Sequence, residues 1–389
     1  MLPTLPGAWG LGLFSKLVSS VTLPDVTKLF EAPPPGTIDF GLGEPDFQPS
    51  KQAAAALEEA VEGGKNKYVS TLGLGALRSA LAKRLQKFDP SVAAEHVLIT
   101  ASGTHALALA AQALYCEGDE VLVPDPGFFY YRPHARMMGA KDVGYALRAE
   151  EGFAPDVDEI AGKITGRTKA IVVNSPSNPT GAAFDGPTVR AIADLANDKG
   201  LTVISDEVYS DLVFDGAFTS FLGRAERLVY ANSFSKIHAL TGWRIGYAVA
   251  KPPYFSELAK MFFYHMACVA EPIQYGALGA LSTPEAELSR RRDVFRKRRD
   301  AVVRALAEVP TLRTVKPRGA FYAFPAFKTK KPLTSAEYSA ELLKGGVKVT
   351  AGSQFGPAGE GHIRLSFALD PPRIKEGVER IARVAERLG

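Results

Sequence analysis

Short apolar, β-branched runs alternate with stretches of helical spacing through the middle of this chain, and that alternation narrows the possible folds most. Residues 97–100, 120–124, 169–174, 201–205 and 228–232 read as buried strands. Residues 104–113 and 187–199 carry helical spacing between them. Strands that are apolar on both faces and separated by helix-length segments predict an open, mostly parallel sheet covered by helices. The expected class is α/β: a large domain built on that sheet, plus a smaller α+β domain. In such sheets ligands bind outside the carboxyl ends of the strands. Residues that carry chemistry are therefore sought in the loops that follow strands.

With 389 residues the chain can hold a large α/β domain and an appendage. The Pro-rich stretch 32–36 separates an N-terminal arm from the body. The expected division is an arm over 1–45, a large domain over 46–289 and a small C-terminal domain over 290–389. Residues 322–325, 347–350 and 362–367 read as strands of the small domain. Residues 371–388 read as its last helix, with Ile374, Val378, Ile381 and Val384 on one face. The basic stretch 290–308 reads as a solvated helix whose Val294, Arg298 stem, Val302 and Leu306 pack inward, in preference to a nucleic-acid face. Lys and Arg total 46 against 42 acidic residues, too even a balance to favour nucleic acid. No apolar run approaches the roughly 18 residues of a membrane span. Pro3, Pro6 and three glycines interrupt the mildly apolar stretch 1–17, so a secretory signal is not expected. Cys116 and Cys268 are too far apart in sequence to suggest a metal pair, and they suit a reducing cytoplasm.

Lys236 lies in Ser233-Phe-Ser-Lys-Ile-His-Ala-Leu-Thr-Gly-Trp-Arg-Ile-Gly246. A lysine amine can condense with an aldehyde cofactor, while serines and Arg244 can hold a phosphate. Asp206 ends a strand, where it either faces a bound group or caps the following turn. Tyr209 follows about one helical turn later. Asn178 sits in Asn174-Ser-Pro-Ser-Asn-Pro-Thr-Gly181, where two X-Pro bonds constrain the turn. Ser102, Gly103 and Thr104 follow a strand and open a helix, which makes an anion site or a plain cap. Phe128 and Phe129 lie in the aromatic run after Asp125. Arg364 sits mid-strand among apolar residues and must be paired. It either grips a carboxylate bidentately or joins a structural ion pair.

These strings resemble class I/II pyridoxal-phosphate-dependent aminotransferases of fold type I, from about Gly41 to the last helix. The resemblance implies that pyridoxal phosphate is attached at Lys236. It implies Asp206 at the pyridine nitrogen and Tyr209 at the ring's 3-oxygen. Ser102, Gly103, Thr104, Ser233 and Arg244 would wrap the phosphate, and Phe128 would stack on the ring, with Phe129 left open as the alternative. Asn178 would contact both ring and substrate, and Arg364 and Gly43 would hold the substrate α-carboxylate. Tyr68, in Tyr-Val-Ser-Thr-Leu-Gly-Leu-Gly-Ala-Leu-Arg78, would reach the phosphate of a neighbouring subunit, which implies a homodimer; as a plain residue it would be core. The implied reaction is transamination between an L-α-amino acid and a 2-oxo acid such as 2-oxoglutarate or pyruvate. A β-lyase or synthase on the same cofactor, and a non-enzymatic regulator, are the rival readings.

Some positions depart from the family pattern. The stacking residue is Phe, and His238 follows the lysine where an aromatic is common. His105 stands where some aspartate-specific relatives carry a side-chain-binding lysine. Residues 262–289 contain no Arg or Lys. Phe14, Phe129 and residues 262–264 are candidate pocket walls. Neutral donors are therefore expected over acidic ones, aspartate transamination being the alternative, with a protonated His105 as the feature that would reverse the preference.

Overall fold

A computed structural model describes residues 15–21 and 31–389. The central sheet has seven strands: β1 Val97–Thr100, β2 Glu120–Asp125, β3 Lys141–Ala146, β4 Thr168–Asn174, β5 Thr202–Asp206, β6 Leu228–Ser233 and β7 Gly246–Ala250. Their order is β1-β7-β6-β5-β4-β2-β3. Only β7 runs against its neighbours, pairing antiparallel with both β1 and β6. The sheet is thus mostly parallel, as expected, and β1, β2, β4, β5 and β6 all point their carboxyl ends to one side.

Strands β3 and β7 were not legible as strands. β3 is an edge strand interrupted by Asp142 and Gly144, so it lacks the continuous apolar run of a central strand. β7 follows Arg244 without a turn-length gap, and its Gly246 reads as part of the lysine motif. That glycine has a packing role. A Cβ there would collide with the backbone of Ser102 and Gly103, so only glycine lets β7 lie against the start of the helix that follows β1.

The helices that matter for the site are α1 Lys51–Glu62, α2 Gly103–Leu114, α3 Gly186–Lys199, α4 Tyr254–His265, α5 Glu271–Leu281, α6 Glu285–Ala307 and α7 Pro371–Leu388. Ser102 caps α2 by accepting from the His105 amide, and Asp185 caps α3 through the Thr188 amide. A large apolar core surrounds the sheet. A second core gathers Phe295, Val302 and Leu306 of α6, Ile374, Val378 and Ile381 of α7, and the antiparallel strands β8 Tyr322–Ala323, β9 Thr350–Ala351 and β10 Ile363–Ser366. Ile38 and Asp39 join that region, pairing parallel with Val347 and Lys348.

The basic stretch is one continuous helix that begins at Glu285, so residues 289 and 290 lie inside it. The expectation that it is simply solvated needs correction. Phe295 rather than Val294 leads the inward apolar stripe, and Arg291, Arg298 and Arg299 are buried. Burying three guanidiniums requires partners for each. Arg299, for example, donates to Asp215 at 2.5 Å and to the Pro317 carbonyl at 2.9 Å.

Candidate active site

The carboxyl ends of the parallel strands meet in one cavity of about 530 Å³. It is lined by Gly43, Ser102, Gly103, Thr104, Phe128, Asn178, Asp206, Tyr209, Ser233, Lys236, Arg244 and Arg364. Twelve of the thirteen site positions read from the sequence therefore share one wall. Tyr68 does not; it is 88% exposed, which removes the core reading of that residue. Phe128 and Phe129 both line the cavity, with ring centroids 4.6 Å apart.

Asp206 sits at the end of β5 and is held by neutral groups. Its Oδ2 accepts from the Tyr131 hydroxyl at 2.7 Å and its Oδ1 from the Val208 amide at 3.4 Å. Burial is the main influence on this carboxyl and lifts its pKa to about 6, against the opposing pull of Tyr131. A cation placed opposite would lower that pKa again and favour the charged form further. Asn174 steadies the same strand end, donating to the Asp206 carbonyl at 2.9 Å while its Oδ1 accepts from the Asn178 amide at 2.8 Å.

Lys236 projects from the loop after β6 and donates to the Gly43 carbonyl at 3.0 Å. Its ammonium lies 5.4 Å from the Tyr209 ring and 5.5 Å from the Phe321 ring. Enclosure, reinforced by Arg364, lowers its pKa to about 8. That shift makes free amine, the form a nucleophile or proton acceptor requires, far more available near neutral pH than on an ordinary lysine. Further along the loop Arg244 adopts the left-handed region at φ 52° and donates to the Thr241 carbonyl at 2.8 Å. A non-glycine residue held there costs on the order of 1–3 kcal/mol and marks a constrained loop.

Arg364 lies on β10 and is 2% exposed. Its acceptors among the described residues are all neutral: Asn178 Oδ1 at 3.1 Å, Thr350 Oγ1 at 3.1 Å and the Gly41 carbonyl. Its Nε has no partner among the described residues. The Tyr322 and Phe355 rings flank it at 4.6 and 5.0 Å. The structural ion pair considered from sequence is thus replaced by a guanidinium without a carboxylate partner, facing the cavity. Tyr322 also hydrogen-bonds Tyr209, hydroxyl to hydroxyl, at 2.8 Å, and a Cβ on Gly43 would strike its oxygen. Gly43 is therefore glycine because Tyr322 approaches its backbone closely.

Several sequence expectations require correction. Tyr209 follows Asp206 through a turn rather than a helix. His105 does not line the cavity. Its ring stacks on His265 at 5.3 Å, with Nε2 and Nδ1 3.1 Å apart, and burial and that neighbour bring its pKa down to about 4. At neutral pH it is an uncharged ring facing α4, so it cannot draw in an acidic side chain. Phe262 is wholly buried in the sheet core, while Phe263 and Tyr264 are exposed. Phe14 lies outside the described residues. Tyr131, Asn174 and Tyr322 were missed as site residues. The first two stand inside strings already singled out, but nothing in residue type alone marks Tyr322.

The comparisons with known proteins agree with this geometry. The family described as aminotransferase class I and II matches residues 35–381. The chain belongs to that family. It is 36% identical over 355 residues to an aspartate aminotransferase of Pyrococcus horikoshii, covering 90% of each chain. It is 37% identical to a probable aspartate/prephenate aminotransferase of Aquifex aeolicus, over 96% of this chain and 98% of that one. The solved structure of aspartate aminotransferase from Thermus thermophilus with maleate superposes with a TM-score of 0.90 at 32% identity, over 96% of this chain and 100% of that chain. This aminotransferase carries out pyridoxal-phosphate-dependent transamination between amino and oxo acids. The residues fit that cofactor. A cation-seeking carboxyl at Asp206, an amine at Lys236, and a helix start with hydroxyls and Arg244 surround one cavity.

Proposed function

We propose that the cavity is the transamination site, with Lys236 as its catalytic amine and Arg364 as its carboxylate clamp. The observation that carries this is the buried Arg364 guanidinium, which among the described residues has only neutral acceptors and no partner for its Nε, in the same cavity as Lys236. Ser102, Gly103, Thr104, Ser233 and Arg244 would hold the phosphate, Phe128 the ring face, and Asn178 and Tyr209 the ring oxygen. When bound, pyridoxal phosphate supplies an electron sink for the carbanion at the substrate α-carbon. Asp206 would keep a negative charge beside the pyridine nitrogen. Lys236 Nζ, once free, takes the α-proton and returns it on the other side of the reaction, acting as base and then acid. Arg364 and the Gly43 amide orient the α-carboxylate so that the α-hydrogen faces that amine.

For the donor we propose a neutral side chain. Leu42, Leu107, Phe128, Phe129 and Val208 form an apolar part of the wall, and His105 contributes no charge. Leaving a side-chain carboxylate unpaired there costs on the order of a few kcal/mol, while burying an apolar side chain gains about 1.5–3 kcal/mol. The names of several relatives favour aspartate instead. Steady-state kcat/KM for alanine, methionine, phenylalanine and aspartate with 2-oxoglutarate as acceptor tests the choice. The expected result is a neutral amino acid at the top. A tenfold or greater preference for aspartate would reverse the donor assignment and leave the reaction class intact.

We further propose that the working form is a homodimer in the cytoplasm, with the arm 1–45, a large domain 46–289 and a small domain 290–389. Exposed Tyr68 with Phe263 and Tyr264 supports a covered surface, and free Cys116 and Cys268 suit a reducing compartment. If Tyr68 serves the neighbouring subunit, two inactive variants, Tyr68→Ala and Lys236→Ala, regain about a quarter of wild-type activity when mixed and reassembled, by the statistics of subunit pairing in a two-fold dimer. A fully active monomer in sedimentation analysis would rule this out.

A further inference from the structure

Two of the buried arginines of α6, Arg291 and Arg298, converge on residues 46–48, just beyond Gly43. Arg298 grips both oxygens of Asp46 at 2.7 Å. Arg291 donates through Nη2 to the Gln48 carbonyl at 2.9 Å and through Nη1 to the Ile237 carbonyl at 3.0 Å. Glu287 on the same helix holds its Nη2 at 2.6 Å. The Phe47 ring lies 5.5 Å from the Arg291 guanidinium and 5.7 Å from that of Arg298, and it meets Phe295 edge-on at 5.3 Å. Ile237 is the residue next to Lys236. One fixed guanidinium thus spans the loop that carries the amine and the segment that carries Gly43.

Two side-chain bonds also join these pieces of chain directly, Lys236 Nζ to the Gly43 carbonyl and, between exposed groups, the Thr241 hydroxyl to Glu44. The first is lost whenever that amine is engaged elsewhere. The Arg291 bridge uses only main-chain carbonyls and does not depend on the state of the amine. We propose that Arg291 is a positioning residue that holds the Lys236 loop in register with the Gly43 segment while the amine is in use. Lysine cannot replace it, because a single ammonium lacks the planar fork that reaches two carbonyls on different segments.

This inference rests on the site reading above, and the test separates the two. Arg291→Lys, Arg291→Gln and Asp46→Asn are compared as holoenzymes for kcat, KM and thermal midpoint, with borohydride trapping and peptide mapping of the cofactor link. Asp46→Asn loosens the segment from Arg298 but leaves the bridge, so it raises KM and keeps kcat within about twofold. Arg291→Lys lowers kcat at least about tenfold at a thermal midpoint similar to that of Asp46→Asn. Arg291→Gln shows the same kcat loss, and it decides the matter if the lysine variant does not fold. Wild-type kcat in either Arg291 variant overturns the proposal. So does an equal kcat loss in Asp46→Asn, which would assign the effect to helix packing alone. A cofactor link mapped to a lysine other than Lys236 overturns the site reading and this proposal together. A link at Lys236 with unchanged Arg291 kinetics overturns only the proposal.

Discussion

Lys236→Ala loses activity by about 10⁴-fold or more, and the purified protein has no visible band that borohydride can bleach. Two losses combine in this one change. The amine that would attach the cofactor is gone, and so is the group that carries a proton to and from the α-carbon. The neighbouring side chains cannot stand in. Tyr209 is the closest candidate, but burial and the Tyr322 hydroxyl hold its pKa well above the ordinary phenol value. It therefore stays protonated and cannot act as base near neutral pH. The free amine of Lys236, with its pKa lowered to about 8, is the group suited to accept a proton there. Wild-type turnover by Lys236→Ala would place the chemistry elsewhere in the cavity.

Much of this site was legible because the fold turns strand ends into one wall. Once β1, β2, β4, β5 and β6 are parallel, residues just after them become neighbours whatever their sequence separation. That is why Ser102, Phe128, Asn178, Asp206 and Lys236 could be gathered from local strings. What sequence did not show was set by packing between elements. His105 follows Thr104 directly, yet the turn of α2 carries its ring away from the cavity and against His265 of α4. Tyr322 comes from a two-residue strand of the second core, and its contact with Gly43 exists only after both cores assemble. Charge density misled in α6 for the same reason. A run of arginines has the same composition whether it is solvated or buried against carbonyls and carboxylates, and only the partners Asp46, Gln48, Asp215 and Ile237 tell the cases apart.

Arg364→Met lowers kcat/KM by about 10²–10³-fold for every donor alike, the cost of removing one partner of an enclosed, hydrogen-bonded charge pair being roughly 2–5 kcal/mol. Stability should respond differently. Breaking a buried structural ion pair destabilises by about 3–5 kcal/mol because a charge is left behind without its partner. Arg364 has no carboxylate partner among the described residues, only Asn178, Thr350 and the Gly41 carbonyl. Burial accordingly lowers its pKa from the usual guanidinium value, a sign that enclosure among these neutral groups disfavours the charge. Methionine relieves that strain at the expense of a few hydrogen bonds, so the thermal midpoint stays close to that of the wild type or rises. Loss of activity with preserved stability identifies a group whose partner is the substrate. A fall in stability large enough to explain the lost activity would identify Arg364 as structural, and the carboxylate clamp would then have to lie elsewhere in the cavity.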